Sequence, residues 1–269
     1  MIPEFAVLQW RKEAPWNELF QVEQDLIISR ALVDLYSTQK IQSNLAFRGG
    51  TALNKLFTKP AARYSEDIDL VQIKKEGIGD SINSIREALS WLGEPQRRIT
   101  ERSVKLIYRY EAINLTPKKL KIEINITEHF HIYELEKHEI VIKNPWFEGK
   151  AKIVTFSINE LMGTKLRALY QRKKGRDLFD LWIAIKNNLI DCNLVIDAFA
   201  KYCAKDGINI SRAIFEKNFI EKIANQEFQY DINNLINAET YWNFDEAVDL
   251  IQNKLIKGLP GEPYKMKEK

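Results

Sequence analysis

The chain has 269 residues, 45% of them hydrophobic and 29% charged, which is enough for one large domain or two smaller ones with a substantial core. A net charge of +3 is too mild to mark nucleic-acid binding over the whole surface, and a mean hydropathy of −0.34 with no long apolar run excludes a membrane-spanning helix. Cys192 and Cys203 match no metal motif and suit a reduced cytoplasm, and the N-terminus lacks the basic-then-apolar pattern of a secretory signal.

Residues 17–38 read as a helix capped by Asn17, with Val22, Leu26, Ile27, Ala31 and Leu35 at helical spacing. The alternation of Leu45 and Phe47 predicts a strand, Gly49-Gly50-Thr51 a turn, and residues 52–57 a short helix. A strand then holds Asp67-Ile68-Asp69, and Gly77 and Gly79 close it. Asp80 opens a helix with Ile82, Ile85, Leu89 and Leu92 on one face, ended by Gly93 and Pro95. Strands follow at 104–111 and 120–127, joined by a hairpin tip at Pro117, and another at 152–156.

From Ser157 the period becomes helical. Ser157 and Glu160 form a capping-box signature, Leu161, Met162, Leu166 and Leu169 lie on an apolar stripe, and Gly175 marks the stop. A second helix starts near Arg176 or Asp177, and further helices run to about residue 255. The tail after Gly258 reads as frayed. The expected architecture is α+β, with a mixed-sheet domain over 1–156 and a helical bundle over 157–269.

The chemistry concentrates between Phe47 and Leu70 (FRGGTALNKLFTKPAARYSEDIDL). A strand, glycine turn and helix start let backbone N–H groups approach a phosphate closely. In the following strand Asp67 and Asp69 share one face, while Ile68 and Leu70 take the other. Two adjacent carboxylates call for a cation, and hard oxygen ligands beside phosphates suit Mg²⁺. Gly49, Gly50, Thr51 and Ser65 are the candidate triphosphate ligands.

This stretch resembles the DNA polymerase β-like nucleotidyltransferases, in which a glycine turn precedes an Asp-x-Asp. FRGGTAL and SEDIDL, with the later KLRALYQRKKGRDLFDLW, are similar more particularly to the AbiEii/AbiGii toxin family. The resemblance runs from the N-terminal helix to the helix around Asp180. It implies an Mg²⁺-dependent transfer of a nucleoside monophosphate from an NTP, by the toxin of a toxin–antitoxin or phage-abortive system. It also implies an RNA acceptor, a tRNA 3′ end being the leading case, and a cognate antitoxin partner. Glu123, between Ile122 and Ile124, matches the third acid of the superfamily, although Glu stands where many members have Asp. Its alternative is an exposed charge on a strand's polar face.

Lys165 lies on the apolar stripe, four residues from both Leu161 and Leu169, so it must snorkel to solvent or enter a cleft. The resemblance gives it a catalytic role, neutralising triphosphate charge, and places a required acid in RDLFDL without choosing between Asp177 and Asp180. Asp177 by itself reads equally as a helix cap. Either acid could take the attacking hydroxyl's proton or hold Lys165, from across the cleft between the domains. The run 171–176 (QRKKGR) offers Arg172 and Arg176 to an RNA backbone, or is a solvated helix end. His129 and His131 would share a strand face, but no cysteine accompanies them and zinc is not expected. Two other functions stay open: nucleotidyl transfer to a small molecule or protein hydroxyl, and a non-catalytic module that retains the fold.

Overall fold

The structure is a computed structural model and describes residues 2–237 and 239–265. It divides into two compact units, Met1–Phe156 and Ser157–Lys269.

The first unit opens with helices α1 (Glu4–Trp10), α2 (Leu19–Tyr36) and α3 (Gln39–Asn44). Strand β1 (Leu45–Arg48) feeds directly into α4 (Gly49–Ala52), whose last turn widens into a π-turn over Leu53–Phe57. Strand β2 (Asp67–Gln72), helix α5 (Gly79–Ala88) and strands β3 (Gln96–Ile99), β4 (Ser103–Glu111), β5 (Pro117–Asn125), β6 (Glu136–Asn144) and β7 (Phe147–Thr155) complete it. The strands form one mixed sheet ordered β3-β4-β5-β2-β1-β7-β6, with parallel pairs β2/β5 and β1/β7.

One face of this sheet is core. Phe47, Ile68, Leu70, Leu106, Tyr108, Ile122 and Ile124 are all essentially buried. Helix α2 is buried on most of its circumference and carries polar anchors inward. Gln24 Nε2 donates to the carbonyls of Glu66 and Lys119, tying the loop before β2 to β5. Asp25 accepts the indole N–H groups of Trp10 and Trp16 and the Lys55 ammonium, so a charge deep in the unit is fully partnered.

Several local expectations change. The cap of α2 is Glu18, in a reciprocal box with Gln21, rather than Asn17. Pro117 starts β5 instead of tipping a loop, and strands β3 and β6 are added. His129 and His131 lie between strands, where their Nδ1 atoms donate to the carbonyls of Gln72 and Tyr133.

The second unit is helical: α6 (Ile158–Gln171), α7 (Gly175–Lys186), α8 (Cys192–Lys205), α9 (Arg212–Ile223), α10 (Gln226–Tyr230) and α11 (Phe244–Lys254). Ser157 Oγ caps α6 by accepting the Glu160 N–H, while the Glu160 carboxylate takes the buried Tyr202 hydroxyl. Gly175 begins α7 instead of ending α6. Phe179, Trp182, Trp242 and Phe244 form an aromatic core with edge-on contacts. The chain after Gly258 packs back on α9: Arg212 N–H donates to Pro260, and Tyr264 N–H to Glu216. The frayed reading fails there because Leu259 is buried; its last four residues lie outside the described ones. Among the described residues no helix is long and apolar enough to cross a membrane.

Candidate active site

The glycine turn and the Asp-x-Asp strand meet at one point. Gly49 has φ +83°, a left-handed value that favours glycine, and a side chain there would overlap Asp69 Oδ2. A side chain on Gly50 would overlap the guanidinium of buried Arg63. Thr51 Oγ1 donates to the Asp67 carbonyl, so the 2.7 Å contact between the Thr51 and Ser65 hydroxyls has Ser65 as donor. Both hydroxyl protons therefore serve to clamp the turn to the start of β2. Asn54 completes the clamp. Its Nδ2 donates to the Gly50 carbonyl and its Oδ1 accepts the N–H groups of Ala62 and Arg63. Asn54→Ala is expected to cost about 2 kcal/mol, because it takes a side-chain partner from three backbone groups, two of them buried. Chemical denaturation checks this, and an unchanged midpoint would show that the turn holds itself.

The second face of the sheet is charged. Residues in register point the same way, so Arg48 (β1), Asp69 (β2), Glu123 (β5) and Lys105 (β4) form one row across four strands. Asp67 and Lys121 form the next row. Lys121 Nζ lies 2.9 Å from Asp67 Oδ2 and 3.4 Å from Glu123 Oε2. Glu123 also takes Lys105 at 3.2 Å and the Ser103 hydroxyl at 3.1 Å. Burial opposes ionisation of Glu123, but these donors outweigh it and hold its carboxyl below the usual range. Asp69 moves the other way. Burial pushes its pKa up, and the charges of Asp67 and Glu123 add to this against the pull of Arg48 and Lys121.

These observations bear on a metal. Among the described residues no group of three or more His, Cys, Asp or Glu side chains is arranged to hold an ion. Glu123 is held by two lysines and Asp67 shares one of them, so Asp67 and Asp69 are the less engaged pair. That pair still fits Mg²⁺, which binds through one or two carboxylates and completes its shell with water and substrate phosphates. Burial, rather than the balance of neighbouring charges, is what raises the proton affinity of Asp69.

The second unit assembles its own cluster. Lys165 Nζ lies 3.1 Å from Asp177 Oδ1 and 2.7 Å from Asp180 Oδ2, and both acids are fully buried. Arg172 grips Asp177 with two bonds of 2.7 and 2.8 Å. Burial would raise the Asp177 pKa, but Lys165 and Arg172 override it and keep the carboxyl below its ordinary value. The lysine on the apolar stripe thus neither snorkels nor stands alone. Asp177 does not cap α7, whose N-cap is Lys174. Arg176 leaves the group, with its backbone N–H and guanidinium turned to Asp231.

Sequence reasoning passed over Arg48, Asn54, Arg63, Lys121 and Lys222. The first four stand beside motif residues, and an arginine flanking a glycine turn or a lysine two places from Glu123 was the available signal. Lys222 had none, since α9 enters the argument only through packing. It is buried, and its ammonium donates to the carbonyls of Leu169 and Tyr170 in the last turn of α6, close to Arg172. Burial pulls its pKa down to about 8 against the nearby Asp177 charge. Below pH 8 the amine is charged in both folded and unfolded chains, so folding bears the full cost of burying it. Above that, only the unfolded chain keeps the proton, up to the ordinary lysine value near pH 10.4. The stability of wild type relative to Lys222→Met is therefore expected to rise from pH 8 to about 10. A constant difference would mean that the amine titrates normally.

A mixed sheet that seats an Asp-x-Asp strand against a glycine turn defines the nucleotidyltransferase class. The sequence profile described as nucleotidyl transferase AbiEii toxin, type IV TA system, matches residues 30–250, and the chain belongs to that family. It is thus a nucleotidyltransferase toxin of a type IV toxin–antitoxin system. Among solved structures it is similar to MenT4, a nucleotidyltransferase toxin from Mycobacterium tuberculosis H37Rv. That match has a TM-score of 0.58 at 14% identity and covers 97% of this chain and 91% of that one. It is also similar to an H. pylori protein assigned as a nucleotidyltransferase, with a TM-score of 0.50 at 19% identity over 88% of this chain and 96% of the other. These likenesses concern the fold. No curated protein matches the sequence.

Proposed function

We propose that the chain transfers a nucleoside monophosphate from an NTP to an RNA acceptor such as a tRNA 3′ end, with Mg²⁺, in the cytoplasm. The supporting observation is the overlap of two sites: a methyl at Gly49 would fall on Asp69 Oδ2, so a triphosphate on the turn lies against the carboxylate pair. The backbone of Gly49 and Gly50 receives the phosphates. Thr51 and Ser65 fix the turn, and Arg48 and Arg63 add positive charge beside it.

Asp67 and Asp69 would hold Mg²⁺, which supplies charge neutralisation at the α-phosphate when bound. The acceptor hydroxyl oxygen bonds to the α-phosphorus, the bond to the bridging oxygen breaks, pyrophosphate leaves, and the hydroxyl proton passes to solvent. Glu123 acts from one position further out, holding Lys105 and Lys121 on the face.

Lys165 is given the role that the family resemblance implies, neutralising triphosphate charge. Asp177 and Asp180 hold it in place rather than take the hydroxyl proton, because both are buried and spent on cations. Residues 1–156 are the transferase domain and 157–269 a helical domain, restrained in the cell by the cognate antitoxin. The test is incubation with each labelled NTP, Mg²⁺ and total cellular RNA, followed by mass analysis. Label in RNA supports the reading, whereas label only in protein or a small molecule replaces it.

A further inference from the structure

We infer that the charged face of β3, β4 and β5 is the seat of the acceptor's sugar–phosphate backbone. The inference rests on the RNA-acceptor reading above and adds the surface that holds the RNA. Its basis is register. Val104, Leu106, Tyr108, Ile122 and Ile124 bury one face of these strands, so the alternate residues occupy the other. Those alternates include Arg98 (β3), Lys105 and Arg109 (β4), and Lys119 and Lys121 (β5). Arg98 pairs in register with Lys105, which pairs with Glu123, which pairs with Asp69. Arg109 pairs with Lys119 one row beyond Lys121. The cations thus form a continuous band that starts at the Asp67/Asp69 pair and ends at the sheet edge, three strand spacings or ~14 Å away.

The band is accessible. Arg98, Arg109 and Lys119 are exposed, and Lys105 and Lys121 are half-buried beside the acids they hold. Arg109 Nη2 is steadied by Gln96 Oε1 at 3.1 Å. Of the acids on this face, Glu123 is covered by Lys105 and Lys121, and Glu111 lies at the far corner. A row of cations leading to a transferase centre complements a polyanion threaded with its end at the reacting phosphate, and suits a sugar–phosphate strand better than a compact small molecule. The rival patch, residues 171–176, is largely spent: Arg172 serves Asp177, and Lys174 and Arg176 lie beside Asp231.

The experiment measures affinity of the full chain for unfractionated tRNA at several salt concentrations. Wild type is compared with R98Q/R109Q/K119Q and with the charge-preserving R98K/R109K/K119R. The neutral variant is expected to flatten the slope of log affinity against log salt by about 2, at ~0.7 or more per lost phosphate contact. That is roughly a 100-fold change in relative affinity per decade of salt. NTP affinity and thermal midpoint are expected to stay at wild-type values, and the charge-preserving variant to keep the wild-type slope. Wild-type binding with an unchanged slope in the neutral variant would overturn this surface alone. Absence of tRNA binding by wild type, with label appearing on a protein, would overturn the RNA reading and this surface together. If the neutral variant does not fold, a charge-preserving variant with a flattened slope would likewise overturn the assignment.

Discussion

Asp67→Ala and Asp69→Ala are each expected to lower nucleotide transfer by about 10³-fold or more, ~4 kcal/mol in the transition state, in a protein that stays folded. The two carboxylates share a face, the glycine turn abuts one of them, and neither belongs to the core. The side effects should differ. Asp67 holds Lys121, so its loss leaves that ammonium to Glu123. Asp69 resists ionisation because of burial, which outweighs the pull of Arg48, so Asp69→Ala removes a desolvated carboxyl and should keep or raise the metal-free thermal midpoint. Turnover equal to wild type at saturating Mg²⁺ would take these acids out of the reaction.

Lys165→Ala should lose both activity and stability. From its place on an apolar stripe one would expect a residue chosen only for catalysis, whose removal spares the fold. The structure changes that balance, because Asp177 and Asp180 are fully buried and depend on it for charge. Deleting one partner of such a cluster costs about 3–5 kcal/mol. Asp180→Asn with Lys165 intact relieves one buried charge and should cost less. If Lys165 also meets triphosphate charge, Lys165→Ala should lower turnover even at temperatures where the variant is fully folded. A lowered midpoint with wild-type turnover there would confine the lysine to structure.

What the sequence disclosed follows from how local each signal is. The α+β order, the change of period at Ser157 and the strand at Asp67–Asp69 rest on short-range alternation, and the structure has them. Strand β3 is exposed along its length, so no buried alternation marks it; β6 is an edge strand with Glu, Lys and His at most positions. Gly175 looked like a stop because glycine often follows a helix, yet the break comes at Arg172, whose extended backbone turns its side chain to Asp177. The partners of Lys165 were legible as nearby acids, but only the fold shows them to be buried and shared.

The sheet also dictates when it can close. Strand β1, which carries Arg48 to the site, lies between β2 and β7, and Phe47 pairs with Thr155 across more than a hundred residues. Asp69 likewise meets Glu123 only through a parallel pairing that no hairpin can deliver. Such non-local pairings slow folding, because loop-closure entropy is lost before the contacts form. A chain still emerging from the ribosome has its Asp-x-Asp long before it has a sheet to mount it on. The sheet therefore cannot close on the outer side of β1 until β7 has been synthesised.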